Sequence, residues 1–410
     1  MNEPSPWESS DSRPPGGNPG TGSVCFVGLG NLSLLARSYA HLHAGGAELQ
    51  QTLLARALAR RGWRVSMVVA DCGQPDGAVW DGVRTYKAFR PDEGIPVIRF
   101  IHPRWTKLYA ALARADAQIY YASCAGGQLG QVVQFARARG RKTVFRIASD
   151  TDCDPRALLV RYWRDKLLYR WGLHRADLVL AQTASQQKAL AGNYQRESRV
   201  IDSLLEIPGA APSLAARDIG ALWVGNIRAL KRPRLFLQAA ARMPQLSFHM
   251  IGGPLPGTER LFEEVRLQAQ ALPNVVFHGF VPQHEIGSYF ERARVFVSTS
   301  EIEGFPNTYM QAWARGTPVV AFLDPERLVS QNDLGAIVTG VDELCAAISR
   351  LTRHAAQWQA VSLRSRRFVD ERGAGKDTVA EYAAALAGLL GAAGHATGCQ
   401  PEAGESAGRA

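Results

Sequence analysis

Between residues 23 and 390, short apolar runs alternate with longer amphipathic stretches. The runs at 24–27, 65–69, 117–121, 143–147 and 178–181 are bounded by Gly, Asp or polar clusters and read as strands. Between the first two lies GGAELQQTLLARALARRGW (45–63), where Leu49, Leu53, Leu54, Ala57 and Leu58 fall at helical spacing and Gly62 supplies a stop. Near residue 220 the rhythm restarts, with strands at 221–224, 246–251, 275–277, 295–299 and 319–322. Helices at 233–241, 258–271 and 286–292 separate them. Such alternation gives parallel sheets, because a crossover helix must carry the chain back before a parallel neighbour can start. The pattern predicts an α/β protein with two facing Rossmann-like domains, 23–205 and 215–372, each a parallel sheet flanked by helices. A last helix at 378–390 follows a second domain that is already complete, so the segment 373–390 is expected to pack back on the first. Residues 1–22 and 391–410 lack apolar periodicity and read as disordered.

Composition narrows the partners. The 410 residues suffice for two cores, and the net charge of +10 favours an anionic ligand or surface. Cys25, Cys72, Cys124, Cys153, Cys345 and Cys399 are scattered, with no C-x-x-C pair and no clustered histidines, so neither a zinc site nor a disulfide framework is indicated. The polar N-terminal segment is unlike a secretory signal. No apolar run approaches the roughly 18–20 residues that span a bilayer. The expected location is cytoplasmic, with any membrane contact peripheral.

Three segments carry candidate chemistry. LWVGNIRALKRPRLF (222–236) places Gly225, Arg228 and Lys231 between a strand and a helix, at the carboxyl end of a parallel strand where anions bind. In SEIEGFPNTYMQAWARGTPVV (300–320), a strand runs into a loop with Glu303 and then a helix that Pro306 can start, with the amides of Asn307 and Thr308 exposed. Gln311 is a long amide in an otherwise apolar helix, and burying it unpartnered costs roughly 1–3 kcal/mol. Placed beneath Glu303, it suits a polyhydroxylated ligand. In the third segment, 272–307, Gly279 follows a strand and allows close backbone approach.

Together the Gly45–Glu48 start of the first helix, the Asn274–Gly279 strand, Glu303-Gly-Phe-Pro-Asn307 and Gly316-Thr-Pro-Val-Val320 resemble the retaining glycosyltransferases of family 4, over about 24–390. That resemblance implies the GT-B fold. It also implies that the second domain binds a nucleotide-diphospho-sugar, the first a saccharide or lipid-linked acceptor, and that no cofactor or metal is used. On that basis Arg228, Lys231 and Glu303 are the catalytic candidates. Gly225, Gly279, Gly304, Phe305, Pro306, Asn307, Thr308 and Gln311 would bind the donor, and Gly45, Gly46, Ser123 and Asp150 would line the acceptor side. Gln311 stands where the family's second acid grips the ribose, Asn226 where many relatives have Arg, and the loop SCAGG after residue 121 lacks a histidine common among them.

Other readings have specific anchors. Asp150, Asp152 and Asp154 alternate like a metal loop, but Pro155 and Arg161 occupy the places a calcium site needs for Gly and Glu. These acids are expected to line the cleft or cap a helix. Gly28-Leu-Gly30-Asn-Leu-Ser33 has a dinucleotide-like spacing, yet Asp71 falls about twice as far on as the ~20 residues an NAD-dependent oxidoreductase needs. The helix predicted at 157–176 interleaves arginines with aromatics and can lie on an anionic membrane. A non-catalytic membrane- or nucleic-acid-binding protein of this fold is the remaining alternative, and the resemblance favours an enzyme without nucleic acid.

Overall fold

The computed structural model describes residues 22–96, 98–209, 211–373 and 377–394. The first sheet holds β1 (Ser23–Val27), β2 (Arg64–Val69), β3 (Val79–Trp80), β4 (Val83–Lys87), β5 (Ile119–Ser123), β6 (Lys142–Arg146), β7 (Leu178–Ala181) and β8 (Arg199–Val200). Their spatial order is β3-β4-β2-β1-β5-β6-β7-β8, parallel throughout except for the edge pair β3–β4. The second sheet holds β9 (Ile219–Val224), β10 (Phe248–Ile251), β11 (Val275–Gly279), β12 (Ala293–Ser298), β13 (Val319–Ala321) and β14 (Gly335–Ile337), in the order β11-β10-β9-β12-β13-β14, all parallel. Central strands such as β1, β9 and β12 are almost wholly buried, because helices cover both faces of each sheet.

Two elements differ from the periodicity reading. Helix Gly46–Arg60 buries Gln50, Gln51 and Thr52 beside Leu54 and Leu58, while Leu49 and Leu53 stay half-buried. The buried amides are not misplaced, since Gln50 bonds across to Leu204 and Asn307. The basic aromatic helix starts only at Trp163 and ends at Arg175. Leu158 is drawn into the core, Tyr162 is extended at φ −99° and ψ 137°, and the chain between them runs as an exposed loop.

Helix Thr378–Gly394 crosses back to the first domain, where Tyr382 and Leu386 are fully buried against Ala55, Leu58 and Trp63. It therefore runs into the stretch 391–394 that the sequence reads as disordered. The other expectations of disorder, at 1–21 and 395–410, fall outside the described residues. No helix among the described residues is long and apolar enough to cross a membrane.

Candidate active site

In an open parallel sheet, ligands gather where the strand order reverses. In the second sheet the reversal lies between β9 and β12, so the loops leaving these strands, 225–232 and 299–307, face one cleft. In the first sheet it lies between β1 and β5, which aims the segments before Gly46 and after Ser123 at the same cleft. Between the domains is a cavity of about 460 Å³.

On the second-domain side, the Gly225 N–H bonds Ile251 O at 3.0 Å and the Ile227 N–H bonds Gly253 O at 2.9 Å. A Cβ at Gly252 would sit 2.1 Å from Gly225 O, so the two strand ends can run this close only with glycine. The turn Ala229–Lys231 is then fastened to the end of β12. Leu230 O accepts from Glu301 N–H at 2.9 Å, Lys231 O from Thr299 Oγ1 at 2.5 Å, and Arg232 Nε donates to Thr299 O at 2.8 Å. Arg232 itself is left-handed, at φ 45°. These bonds bring Lys231 Nζ to 2.5 Å from Glu303 Oε1 in a half-buried ion pair lining the cavity. Arg228, half-buried on the same cavity wall, has no side-chain hydrogen bond or ion pair with any described residue, while its carbonyl accepts from the Lys231 N–H at 3.0 Å.

The first domain closes on this site. Helix Gly46–Arg60 begins at the cavity wall, where Glu48 Oε2 accepts from the Gly45 N–H at 3.1 Å. Gln50 Nε2 donates to Asn307 Oδ1 at 3.1 Å, and Asn307 Nδ2 donates to Gly46 O at 3.3 Å. Gln182 Oε1 accepts from the Phe305 N–H at 2.9 Å, and a Cβ at Gly304 would fall 2.4 Å from Ala148 O. Contacts this close fix the separation of the two domains at the cavity.

Of the residues singled out from sequence, Gly225, Arg228, Lys231 and Glu303 line the cavity, as do Gly304, Phe305, Asn307, Thr308 and Gln311, with Gly45 and Gly46 opposite. Four others do not. Gly279, at φ 65°, sits one strand away, and its carbonyl accepts from the Gly252 N–H at 2.8 Å. Pro306 is buried and precedes the helix Asn307–Trp313 instead of opening it, its carbonyl accepting from the Tyr309 and Met310 N–H groups. Ser123 Oγ is turned to Arg146 O at 3.0 Å, tying β5 to β6. Asp150, an exposed residue outside the cavity lining, accepts at Oδ1 from Gln186 Nε2 at 2.9 Å, and partial desolvation raises its pKa.

The wall position belongs to Asp152. Its Oδ2 accepts from the Ala148 and Ser149 N–H groups at 3.0 and 3.2 Å, and burial pushes its pKa up to about 6. Asp154 accepts from the Arg156 N–H at 2.8 Å, so each of the alternating acids has a separate partner. The Gly28–Ser33 loop is likewise occupied locally: Asn31 Nδ2 bonds Glu48 O and Thr52 Oγ1, and only the short helix Leu32–Leu35 follows.

Gln311 is half-buried, not buried. It lines both the main cavity and a side pocket of about 80 Å³ shared with Leu205 and Arg315, and its side-chain amide bonds no described residue. Sequence reasoning missed Gly252 and Gly253, which line the cavity although a glycine pair directly after a strand was legible. It also missed Gln50 and Gln182, each of which bonds a residue of the other domain and so leaves no local signal.

Comparison with known proteins agrees with this geometry. Residues 219–354 match the family described as glycosyl transferases group 1, and residues 45–201 match the glycosyl transferase 4-like domain. The chain belongs to the group 1 glycosyltransferases. A D-inositol 3-phosphate glycosyltransferase of Mycobacterium leprae is 27% identical over 277 residues, covering 65% of this chain and 57% of the relative. The chain spans between 27% and 57% of the length of the first curated relatives it matches. Among solved structures, sucrose-phosphate synthase from Thermosynechococcus elongatus superposes with a TM-score of 0.69 at 19% identity, covering 90% of this chain and 100% of that one. HepE of Anabaena in complex with UDP and glucose gives 0.68 at 16% identity, with 90% and 99% covered. At these identities the likeness establishes the two-domain GT-B fold.

Proposed function

We propose that the protein transfers a sugar from a nucleotide-diphospho-sugar to a saccharide or lipid-linked acceptor, with retention of anomeric configuration and without a metal or other cofactor. One observation carries the reading: Arg228, Lys231 and Glu303 line a single interdomain cavity opposite Gly45 and Gly46. As the glycosidic bond breaks, negative charge grows on the departing diphosphate. Two cations held on a fastened turn stabilise that charge more in the transition state than in the ground state. Glu303 holds Lys231 in place and is also placed to bond sugar hydroxyls, while Gln311 meets the ribose. Gly252, Gly253 and Phe280 form the remainder of the donor side. Because a fold neighbour was solved with UDP and glucose, UDP-sugars are the first donors to try. The acceptor enters from the wall formed by Ala125, Ser149 and Asp152. The assignment places the enzyme in the cytoplasm, in assembly of a polysaccharide or glycolipid.

The test is release of nucleoside diphosphate from a panel of UDP-, GDP- and ADP-sugars, with EDTA present. Turnover of one donor that disappears in Arg228→Ala supports the proposal. No turnover and no binding across the panel would refute it.

A further inference from the structure

Exposed large apolar side chains are unevenly placed on this protein. Of thirteen among the described residues, seven lie in two short segments of the first domain. Ile95, Ile98 and Ile101 stand on the segment that precedes helix Thr106–Ala115. Leu159, Tyr162, Trp163 and Leu167 stand on the loop and first turns of helix Trp163–Arg175, with Trp163 75% exposed. The segments are one surface, because the Arg164 guanidinium lies 4.1 Å from the Phe100 ring centroid and 5.0 Å from that of Tyr162.

The charges on this surface are mostly of one sign. Arg99, Arg104, Arg161 and Arg164 stand among the apolar groups, and burial together with the like charges of Arg99 and Arg164 holds the Arg104 guanidinium below its usual pKa. The nearby acids are engaged: Asp165 lies 3.5 Å from Arg164, Glu93 pairs with Lys107, and Asp92 lies 3.5 Å from Arg90. Leu159 also lines the interdomain cavity, so the surface runs to the mouth of the site.

We propose that this face docks the protein on an anionic lipid bilayer, with the isoleucines, Leu159, Trp163 and Leu167 entering the interface and the arginines meeting lipid phosphates. Tryptophan and aliphatic side chains interleaved with arginine match the layered chemistry of a bilayer surface, apolar below and phosphate above. A soluble sugar or nucleotide offers nothing for three exposed isoleucines. The docked face would bring the cavity mouth to the membrane, where a lipid-linked acceptor resides. That consequence rests on the transferase reading; the docking itself does not.

The experiment is co-sedimentation of the full chain with vesicles of phosphatidylglycerol and phosphatidylcholine, against vesicles of phosphatidylcholine alone. The wild type is expected to bind the anionic vesicles, more weakly as salt rises, and to leave the neutral ones unbound. Ile98→Ser/Trp163→Ser should bind about tenfold more weakly or worse, because both side chains are exposed and their loss leaves the fold intact. Leu363→Ser, at another exposed apolar position, should bind as the wild type does. Nucleotide binding measured on the same variants separates failure of docking from failure of the transferase reading. Absence of wild-type binding, equal binding to neutral vesicles, undiminished binding by the double variant, or capture of an RNA oligonucleotide through the same face would each overturn the proposal.

Discussion

Lys231 Nζ and Glu303 Oε1 lie 2.5 Å apart although 72 residues separate them. The pair exists because the 229–231 turn is tied to the end of β12 by hydrogen bonds from Glu301, Thr299 and Arg232. Each charge is thus held by the other and offered to the cavity. Glu303→Gln frees Lys231 for a diphosphate, so the affinity for nucleoside diphosphate should hold or rise while turnover falls about 10²-fold. Calorimetric affinity and steady-state turnover on one preparation check this, and parallel losses in both would contradict it.

The Gln311 side-chain amide lines the cavity without a hydrogen-bond partner among the described residues. A carboxylate there makes charge-assisted bonds to ribose hydroxyls, which are about twice as strong as neutral ones. Gln311→Glu should tighten nucleotide binding several-fold, read by titration. An unchanged or weaker affinity would remove the ribose from this position.

Gly304 abuts the backbone of the other domain, where an added Cβ would meet Ala148 O at 2.4 Å. Gly304→Ala therefore holds the domains apart at the cavity. Turnover should fall at least tenfold with the melting temperature nearly unchanged. A variant with wild-type turnover would show that this closed arrangement is not needed for reaction.

The alternation of strands and helices made both sheets legible, and glycine and basic residues at strand ends marked the second-domain wall of the cavity. Strands away from the sheet centres were unevenly legible, the edge strand β11 being read at 275–277 while others were missed. β4 reads VRTYK, too polar to stand out, and β14 is three residues long. The start of helix Trp163–Arg175 was hidden because Leu158 answers to the core and not to helical period. Gln50 and Gln182 looked like ordinary polar positions, since their reason for being there is a residue in the facing domain. Arg217 was equally silent. It is 1% exposed, and its guanidinium bonds the carbonyls of Pro212, Phe290, Ala293 and Arg315.

Burial lowers the Arg217 pKa to about 10, and no carboxylate hydrogen-bonds it among the described residues. Its value lies in satisfying those carbonyls and in stacking 4.9 Å from Trp358. Arg217→Ala leaves several buried acceptors unpaired and should cost about 3 kcal/mol or more of unfolding free energy. Denaturant unfolding measures it, and a loss below about 1 kcal/mol would contradict this role.

Asp152 has its pKa raised by burial to about 6. Between about pH 4 and 6 the folded state then binds the proton that the unfolded state has released, so the contribution of Asp152 to stability is full below that window and is lost as pH rises through it. The loss is on the order of 3 kcal/mol. Asp152→Asn keeps an oxygen for the Ala148 and Ser149 N–H groups and should flatten that part of the stability profile. An unaltered profile would contradict the assignment.

The central claim is that Arg228 and Lys231 hold a nucleoside diphosphate in the cavity. The most direct measurement is the melting temperature of the wild type and of Lys231→Ala with UDP, GDP and ADP, all in EDTA. A ligand at 100 times its dissociation constant stabilises by about 2.7 kcal/mol, a rise of some degrees. One diphosphate is expected to raise the wild-type midpoint and to leave Lys231→Ala unmoved. A shift of equal size in both proteins, or none in the wild type with any of the three, would contradict it.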